Sequence, residues 1–183
     1  MKVISVKHPA TVIVGDYQFA DSLKEEVLSL LEIAENIGQT NVKASLHTQW
    51  NWDPGNIKFR NLKAHIREEI ERIVKPGRLI RSRLFLECMQ FWANVYKKGD
   101  YAQSHDHKPF DYSFAYFVKS KWYYPPLVFT DSGKKIRPKE GRFVAFPSYL
   151  KHHVPKHRYN DTRITLSGNL EVKMDGKEIG YLP

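Results

Sequence analysis

The chain has 183 residues, a formal net charge of +9 at pH 7 and 42% hydrophobic residues. This length can bury a core without disulfides, and the single cysteine, Cys88, excludes a disulfide framework. No apolar run approaches the roughly 20 residues that a membrane-spanning helix needs, and the start of the chain is too broken by Lys, His and Pro to be a signal peptide. We therefore expect a soluble, cytoplasmic protein that folds as one domain over residues 1–183.

The positive charge favours polyanions in general, but its distribution is not typical of a nucleic-acid-binding protein. Lys and Arg are spread along the whole chain in runs of at most two. Nucleic-acid binding is therefore possible but not favoured over a generally solvated surface. A non-enzymatic basic binding module remains a third hypothesis behind the two metal-dependent ones developed below. The same charge would also serve an anionic small substrate.

Residues 1–78 are predicted to form an N-terminal strand and two supporting helices. The segments VISV and ATVIVGDY, within residues 2–17, are rich in β-branched residues and favour strands. Ser22 and Glu25 fit a capping box, and the helix that follows is expected to end at Gly38. Residues 39–56 are expected to be a loop. The apolar positions of the two helices are Leu23, Val27, Leu30, Leu31, Ala34 and Ile37, then Phe59, Leu62, Ile66, Ile70 and Ile73 before a Pro76-Gly77 stop.

From residue 79 the hydrophobic period changes from helical to extended. A long strand, RLFLECMQFWANVY, is followed by strand-like segments separated by Gly, Pro and Asp turns. These segments are YSFAYFVK (112–119), PPLVFTD (125–131), GRFVAFP (141–147), RITLSGNLEVKM (163–174) and KEIGYL (177–182). This spacing predicts an antiparallel jelly roll over residues 79–183, an architecture that includes the cupins, with the two helices packed on it.

Two histidines stand two residues apart just after the long strand. In an extended backbone His105 and His107 project to one side and Asp106 to the other, so the two imidazoles can close on one cation. A third ligand must come from elsewhere, and the best candidate is the pair His152-His153. Which of these two points inward cannot be deduced from alternation in a loop. Imidazole ligands with open positions suit non-haem Fe(II).

Polar side chains on two strands suggest an anion site near these histidines. Alternation places Arg163, Thr165, Ser167 and Asn169 on one face of their strand. A guanidinium there suits a carboxylate, and the Thr165 hydroxyl can donate to the same oxygens. On the earlier strand Trp92, Asn94 and Tyr96 also share one face, and the Tyr96 hydroxyl is a further donor.

Taken together, three motifs resemble the Fe(II)- and 2-oxoglutarate-dependent oxygenases, most closely the small members from marine bacteria and phages. The motifs are W-A-N-V-Y-K-K-G-D-Y-A-Q-S-H-D-H, P-K-E-G-R-F-V-A-F-P-S-Y-L-K-H and R-I-T-L-S-G-N, in the family's order between about residues 90 and 170. The resemblance implies a double-stranded β-helix with His105 and His152 as iron ligands. It also implies a 2-oxoglutarate carboxylate on Arg163 and Thr165, helped by Tyr96 and Asn94.

The chain departs from the family pattern at one metal position. His107 stands where His-x-Asp or His-x-Glu is usual, so the expected ligand set is His105, His107 and His152, while Asp111 is an alternative carboxylate and Asp106 is disfavoured. The resemblance implies Fe(II), 2-oxoglutarate and O2 as cofactor and cosubstrates, and a hydroxylase that forms succinate and CO2. The primary substrate cannot be deduced from the sequence.

Two further expectations depend on the same residues. The aromatic residues expected at the lip of the site, or alternatively in the core, are Trp50, Trp52, Trp122, Tyr123 and Tyr124. The second function hypothesis is a cupin-like metalloprotein, a dioxygenase or isomerase that does not use 2-oxoglutarate, in which Asp111 joins the three histidines.

Overall fold

The computed structural model describes residues 10–53, 55–74 and 84–174, which form two antiparallel sheets and two helices. In chain order the elements are β1 (Ile13–Asp16), α1 (Ala20–Leu31), β2 (Val42–Lys43), β3 (Leu46–His47), α2 (Ile57–Val74), β4 (Leu84–Tyr96), β5 (Tyr101–His105), β6 (Tyr112–Lys119), β7 (Leu127–Phe129), β8 (Lys135–Ile136), β9 (Arg142–Pro147), β10 (His152–Val154) and β11 (Arg163–Met174). The predicted segments VISV, Pro76-Gly77 and KEIGYL lie outside the described residues. Neither of the helices so described is long and apolar enough to cross a bilayer.

The strands form the two facing sheets of a double-stranded β-helix, as the sequence predicted. The larger sheet has the order β1-β9-β6-β11-β4-β3, and the smaller has the order β2-β5-β10-β7-β8. Strands that are distant in sequence are neighbours in both sheets, which is the jelly-roll arrangement. The short strands β1, β2 and β3 come from the N-terminal part of the chain and extend the edges of both sheets.

Two apolar clusters hold the layers together. One lies between the sheets and includes Phe117, Val144 and Phe146, all of which are almost completely buried. The other lies between the larger sheet and the helices, where α2 buries Phe59 and Ile66 completely. Burying each such side chain contributes about 1.5–3 kcal/mol to the stability of the fold. The packing of the helices therefore stabilises the larger sheet.

The first helix differs from its predicted bounds at both ends. It begins after Phe19, whose side chain makes no capping hydrogen bond, so the predicted capping box at Ser22 was wrong. The Phe19 ring instead packs on Tyr17, at 5.7 Å between centroids, which fixes the entry to the helix. The helix ends at Leu31 rather than Gly38, and the Asn36 Oδ1 beyond it accepts the N–H groups of Gly38 and His47 and holds a turn.

The segment predicted as a loop, residues 39–56, contains β2 and β3, and three further short strands were missed. These are β5, β8 and β10. They have two to five residues, too few for a clear alternation of apolar and polar positions, and β5 and β10 also pair with each other across nearly fifty residues of chain. The strand β10 matters most, because it places His152 in regular extended structure rather than in a loop.

Candidate metal centre

Three histidine side chains converge where the smaller sheet meets the loop after β5. His105 ends β5 and lies directly opposite His152, the first residue of β10. His107 follows two residues later, and one ligand nitrogen from each of the three rings lies within 4.8 Å of the others. This is a spacing at which one ion can bind all three imidazoles.

The position of His107 is fixed by the loop after β9. Its backbone N–H donates to the carbonyl of Ser148 at 2.8 Å. Its ring centroid lies 4.9 Å from that of His105 and 5.0 Å from that of His152. The Nε2 atoms of His107 and His152 are 3.3 Å apart. The ring therefore faces the same point as the other two.

The hydrogen bonds of two rings set their tautomers for metal binding. The Nδ1 atom of His105 is 2.7 Å from the Gln103 carbonyl, and the Nδ1 atom of His152 is 2.9 Å from the Leu150 carbonyl. A carbonyl can only accept, so each Nδ1 carries the proton and each Nε2 keeps its lone pair. Outer contacts of this kind orient metal-binding imidazoles.

Burial and mutual proximity keep these rings neutral. Burial, with the neighbouring His152 and His105, lowers the pKa of His107 to about 3. Burial and the neighbouring His105 lower the pKa of His152 to about 4, and burial also lowers the pKa of His105. A metal ion binds neutral imidazole, so the cluster offers its ligands in the required form at neutral pH.

The other candidate ligands point elsewhere. The Asp111 carboxylate accepts the backbone N–H of Val172 at 2.8 Å. The Asp106 carboxylate lies near Lys108, and the His153 ring contacts the Thr130 hydroxyl at 3.1 Å. Among the described residues, the His105, His107 and His152 cluster alone has the spacing of a metal site.

A cavity between the sheets extends from the three histidines to Arg163. Its walls combine the predicted polar faces of β4 and β11, which pair side by side with Arg163 opposite Tyr96 and Thr165 opposite Asn94. The main lining side chains besides the histidines are Trp92, Asn94, Tyr96, Phe146, Arg163, Thr165 and Ser167. The four side chains expected to hold a cosubstrate thus line the same cavity as the histidines.

Arg163 is only 2% exposed, yet no acidic side chain of the described residues pairs with it. One Nη1–H donates to the Pro125 carbonyl at 2.9 Å, and the guanidinium lies between the rings of Tyr96 and Phe117. Its Nε–H has no partner. Burial lowers the pKa of Arg163, while burial raises the pKa of Tyr96 to about 12. A buried cation in this state is costly unless an anion joins it.

Two more polar atoms in the cavity wall lack a partner. These are the indole Nε1 of Trp92 and the Oδ1 of Asn94, both in buried side chains. Buried polar groups are almost always hydrogen-bonded, so unsatisfied ones gathered in one cavity indicate a polar ligand. The unpaired guanidinium of Arg163 therefore fits a carboxylate, and the three imidazoles fit a divalent metal.

An outer cleft opens beside the histidines. Its wall includes Trp50, Gln90, Trp92, Phe110 and Asn169. Of the aromatic residues predicted for the lip, Trp50 alone lines this cleft. Trp52 packs on Phe59 in the core, at 5.4 Å between ring centroids.

The remaining three predicted lip residues, Trp122, Tyr123 and Tyr124, line neither the inner cavity nor the outer cleft. They belong to a separate aromatic cluster in the loop after β6. Tyr124 is buried, as the alternative of core packing predicted, whereas Trp122 is exposed. Their loop reaches the inner cavity only through the Pro125 carbonyl, which accepts from Arg163.

A buried chain of hydrogen bonds connects the cleft to the loop that holds His107, and the sequence analysis missed it. The Ser148 and Ser113 hydroxyls lie 2.7 Å apart, Ser113 donates to the Asn169 Oδ1 at 2.8 Å, and Asn169 donates to the Gln90 Oε1 at 2.8 Å. Gln90 lies two residues before Trp92 on β4, so alternation places both side chains on one face, and the position of Gln90 could have been predicted from the sequence. The serines had none, because their contacts join strands far apart in sequence.

The sequence of the chain matches a family model over residues 129–169, the segment that contains His152 and Arg163. The family is described as "Putative 2OG-Fe(II) oxygenase", where 2OG stands for 2-oxoglutarate. A search of curated protein sequences found no match.

Solved structures share the fold at low sequence identity. A viral collagen prolyl hydroxylase from Paramecium bursaria Chlorella virus-1, in complex with 2-oxoglutarate, is 14% identical, with a TM-score of 0.64 over 87% of this chain and 94% of that one. A 2OG-Fe(II) oxygenase family oxidoreductase from Burkholderia pseudomallei is 12% identical, with a TM-score of 0.67 over 87% and 85%. HygX from Streptomyces hygroscopicus, with nickel and 2-oxoglutarate bound, is 10% identical, with a TM-score of 0.62 over 88% and 83%.

Proposed function

We propose that this chain, an Fe(II)- and 2-oxoglutarate-dependent oxygenase by family match and fold, is a cytoplasmic hydroxylase with an all-histidine iron site. His105, His107 and His152 would bind the iron. Arg163 would bind the distal carboxylate of 2-oxoglutarate, with Thr165, Tyr96 and Asn94 around it. The primary substrate would enter by the outer cleft. Protein residues, peptides, nucleobases and small metabolites all remain candidate substrates.

The observation that carries this proposal is the unpaired, buried guanidinium of Arg163 in the same cavity as the histidine cluster. Truncating one partner of a buried charge pair costs about 2–5 kcal/mol, and a guanidinium without any acid has a comparable deficit. A dicarboxylate that reaches from a metal to this arginine would remove the deficit. That is the shape of 2-oxoglutarate, whose keto acid end chelates a metal while its other end is free.

Each residue has a role that follows from its surroundings. The neutral imidazoles would bind iron without releasing protons, and the Gln103 and Leu150 carbonyls would keep two of them oriented. The Tyr96 and Phe117 rings exclude water from Arg163, which strengthens its attraction for an anion. When bound, iron, 2-oxoglutarate and O2 together supply the oxidising chemistry, with succinate and CO2 as products.

The ligand set also favours a second candidate function. Three imidazoles leave the charge of a divalent ion uncompensated, whereas a carboxylate in place of His107 would offset part of it. A cupin-like dioxygenase or isomerase that does not use 2-oxoglutarate would accommodate such a site. The engagement of Asp111 with the backbone of Val172 counts against its joining the ligands in that alternative.

Turnover and binding measurements on two variants test the proposal. We expect the wild-type protein with Fe(II), ascorbate and O2 to convert 2-oxoglutarate into succinate. His152→Ala should abolish both metal binding and turnover. Arg163→Met should weaken 2-oxoglutarate binding at least about thirtyfold, as expected for loss of a buried charge pair, while metal affinity stays within about threefold.

The stability of the Arg163→Met variant separates a binding role of Arg163 from a structural one. An apolar side chain replacing an unpaired buried charge is often neutral or stabilising, so the metal-free variant should be at least as stable as the wild type. Arg60→Gln, an exposed arginine on α2, is the matched control. Metal binding with no succinate, and no effect of 2-oxoglutarate on stability, would favour the second candidate.

A further inference from the structure

The loops after β6 and after β10 join in an exposed aromatic surface that the proposed reaction does not use. Tyr123 and Tyr159 lie 4.9 Å apart, and Trp122 lies 5.8 Å from Tyr123, between ring centroids. Their exposed fractions are 71% for Trp122, 37% for Tyr123 and 38% for Tyr159. We call these three residues the aromatic platform.

Buried packing and hydrogen bonds hold the rings of the platform in place. Tyr124 is buried beneath it, with its ring 4.6 Å from that of His157 and 5.3 Å from that of Tyr159. The Tyr159 hydroxyl donates to the Tyr123 carbonyl at 3.2 Å. The Tyr124 hydroxyl donates to Asp161 at 3.0 Å. The rings are thus held in place before any partner arrives, which reduces the entropy lost on binding.

The two loops are also strongly basic. Residues 119–126 and 155–162 contain four basic residues and one acidic residue, a net charge of +3. Lys121 pairs with Asp161 at 2.5 Å, which neutralises one positive charge. Within the described part of the chain, Lys119 and Arg158 form no ion pair. Free positive charges therefore flank the exposed rings.

The platform lies away from the outer cleft. Its two loops meet beside Arg163. This residue donates a hydrogen bond to the Pro125 carbonyl in the loop after β6, and it is the first residue after the loop that follows β10. Arg163 lies opposite Tyr96 at one end of β4, whereas the cleft residue Gln90 lies six residues earlier. At about 3.3 Å per residue Gln90 lies roughly 20 Å from that end of β4, and Trp92, another cleft residue, roughly 13 Å from it. The platform is therefore a surface distinct from the entrance to the metal centre.

We propose that the aromatic platform and its flanking Lys119 and Arg158 bind single-stranded nucleic acid. Exposed, preorganised rings can stack on unpaired bases of any sequence, while the basic side chains contact phosphates. A duplex hides the faces of its bases, so it would meet only the charges. The carboxylates of an acidic peptide would likewise meet only the charges. Stacking and charge occur together on this surface, and a flexible polynucleotide uses both.

Fluorescence anisotropy with labelled 12-nucleotide oligouridylate and oligothymidylate tests the proposal on the full chain. We expect both to bind more tightly than a 12-base-pair RNA duplex or a polyglutamate of equal charge. Trp122→Ala should weaken binding about tenfold, as expected for the loss of one stacked base. The logarithm of the affinity falls with the logarithm of the salt concentration, and Arg158→Gln should make this dependence shallower by about 0.7, the value for one phosphate contact on a single strand.

The controls keep the result interpretable. Phe19→Ala removes an aromatic ring that is 58% exposed and lies outside the two loops. Arg60→Gln removes an exposed positive charge that also lies outside them, on α2. Both should bind like the wild type, and Tyr159→Phe should retain the stacking. Equal effects of Trp122→Ala and Phe19→Ala would overturn the proposal, as would duplex or polyglutamate binding as tight as that of the single strands. Succinate formation is measured separately, so either proposal can fail alone.

Discussion

At the residue scale, His107 decides how this centre differs from the His-x-Asp pattern of the oxygenases it resembles. Its backbone is held by the Ser148 carbonyl, and its ring faces the other two histidines. The position is therefore built for a side chain that reaches the common point between the rings. In the proposed site a neutral His107 would leave the charge of a bound metal to be offset only in part, by the one carboxylate of the cosubstrate that is not paired with Arg163.

We expect His107→Asp to bind Fe(II) about tenfold more tightly than the wild type or better, because a carboxylate attracts a cation more strongly than imidazole does at low dielectric. The measurement is a competition titration against a chelator under anaerobic conditions, followed by succinate formation. His107→Asn, which has the same shape as Asp without its charge, is the control. If the Asp and Asn variants lose affinity equally, the position requires the reach of imidazole and the charge argument fails.

Residue-scale predictions from the sequence succeeded where side chains alternate along a strand. The faces that carry Trp92, Asn94 and Tyr96 on β4, and Arg163 and Thr165 on β11, line one cavity as expected. The choice between His152 and His153 was beyond the sequence. It depends on the pairing of β10 with β5, a contact between segments nearly fifty residues apart.

At the element scale, the buried chain from Ser148 to Gln90 ties β4, β6 and β11 to the loop after β9. Ser113 stands at its centre, only 1% exposed, and contacts both Ser148 and Asn169. The same loop holds the backbone of His107, so these hydrogen bonds support the candidate metal centre from behind.

We expect Ser113→Ala to lower the free energy of unfolding of the metal-free protein by about 1–3 kcal/mol, because the buried Asn169 Oδ1 and Ser148 hydroxyl lose their partner. Urea unfolding measures this. Ser29→Ala, an exposed serine in α1, should stay within about 0.5 kcal/mol of the wild type. A Ser113→Ala variant as stable as Ser29→Ala would show that water replaces the lost bonds.

Helices and strands whose apolar residues recur with a clear period could be predicted from the sequence. Strands that form only by pairing with distant segments could not. Helix α2 and strands β6, β9 and β11 lie within two residues of the predicted segments, because their apolar positions recur over several turns or alternations. The strands β5 and β10, which carry two of the three histidines, are short and polar. They are strands because the sheet offers them partners, which no local pattern records.

At the scale of the whole molecule, the histidine cluster links stability to pH. The folded-state pKa values of about 3 for His107 and about 4 for His152 lie below the ordinary value of 6.5. As the pH falls below 6.5 the unfolded chain binds protons that the folded chain excludes. The stability present above pH 6.5 is therefore lost progressively towards pH 4 and below.

We expect the free energy of unfolding of the metal-free protein to fall on the order of 2–4 kcal/mol between pH 7 and pH 5, since each excluded proton costs about 1.4 kcal/mol per pH unit. Urea unfolding at half-unit steps measures the slope. His107→Gln and His152→Gln, which cannot titrate, should each make it shallower by about one proton, and the double variant by about two. Most carboxylates titrate below this range, so an unchanged slope in the double variant would show that these rings are not protected by burial.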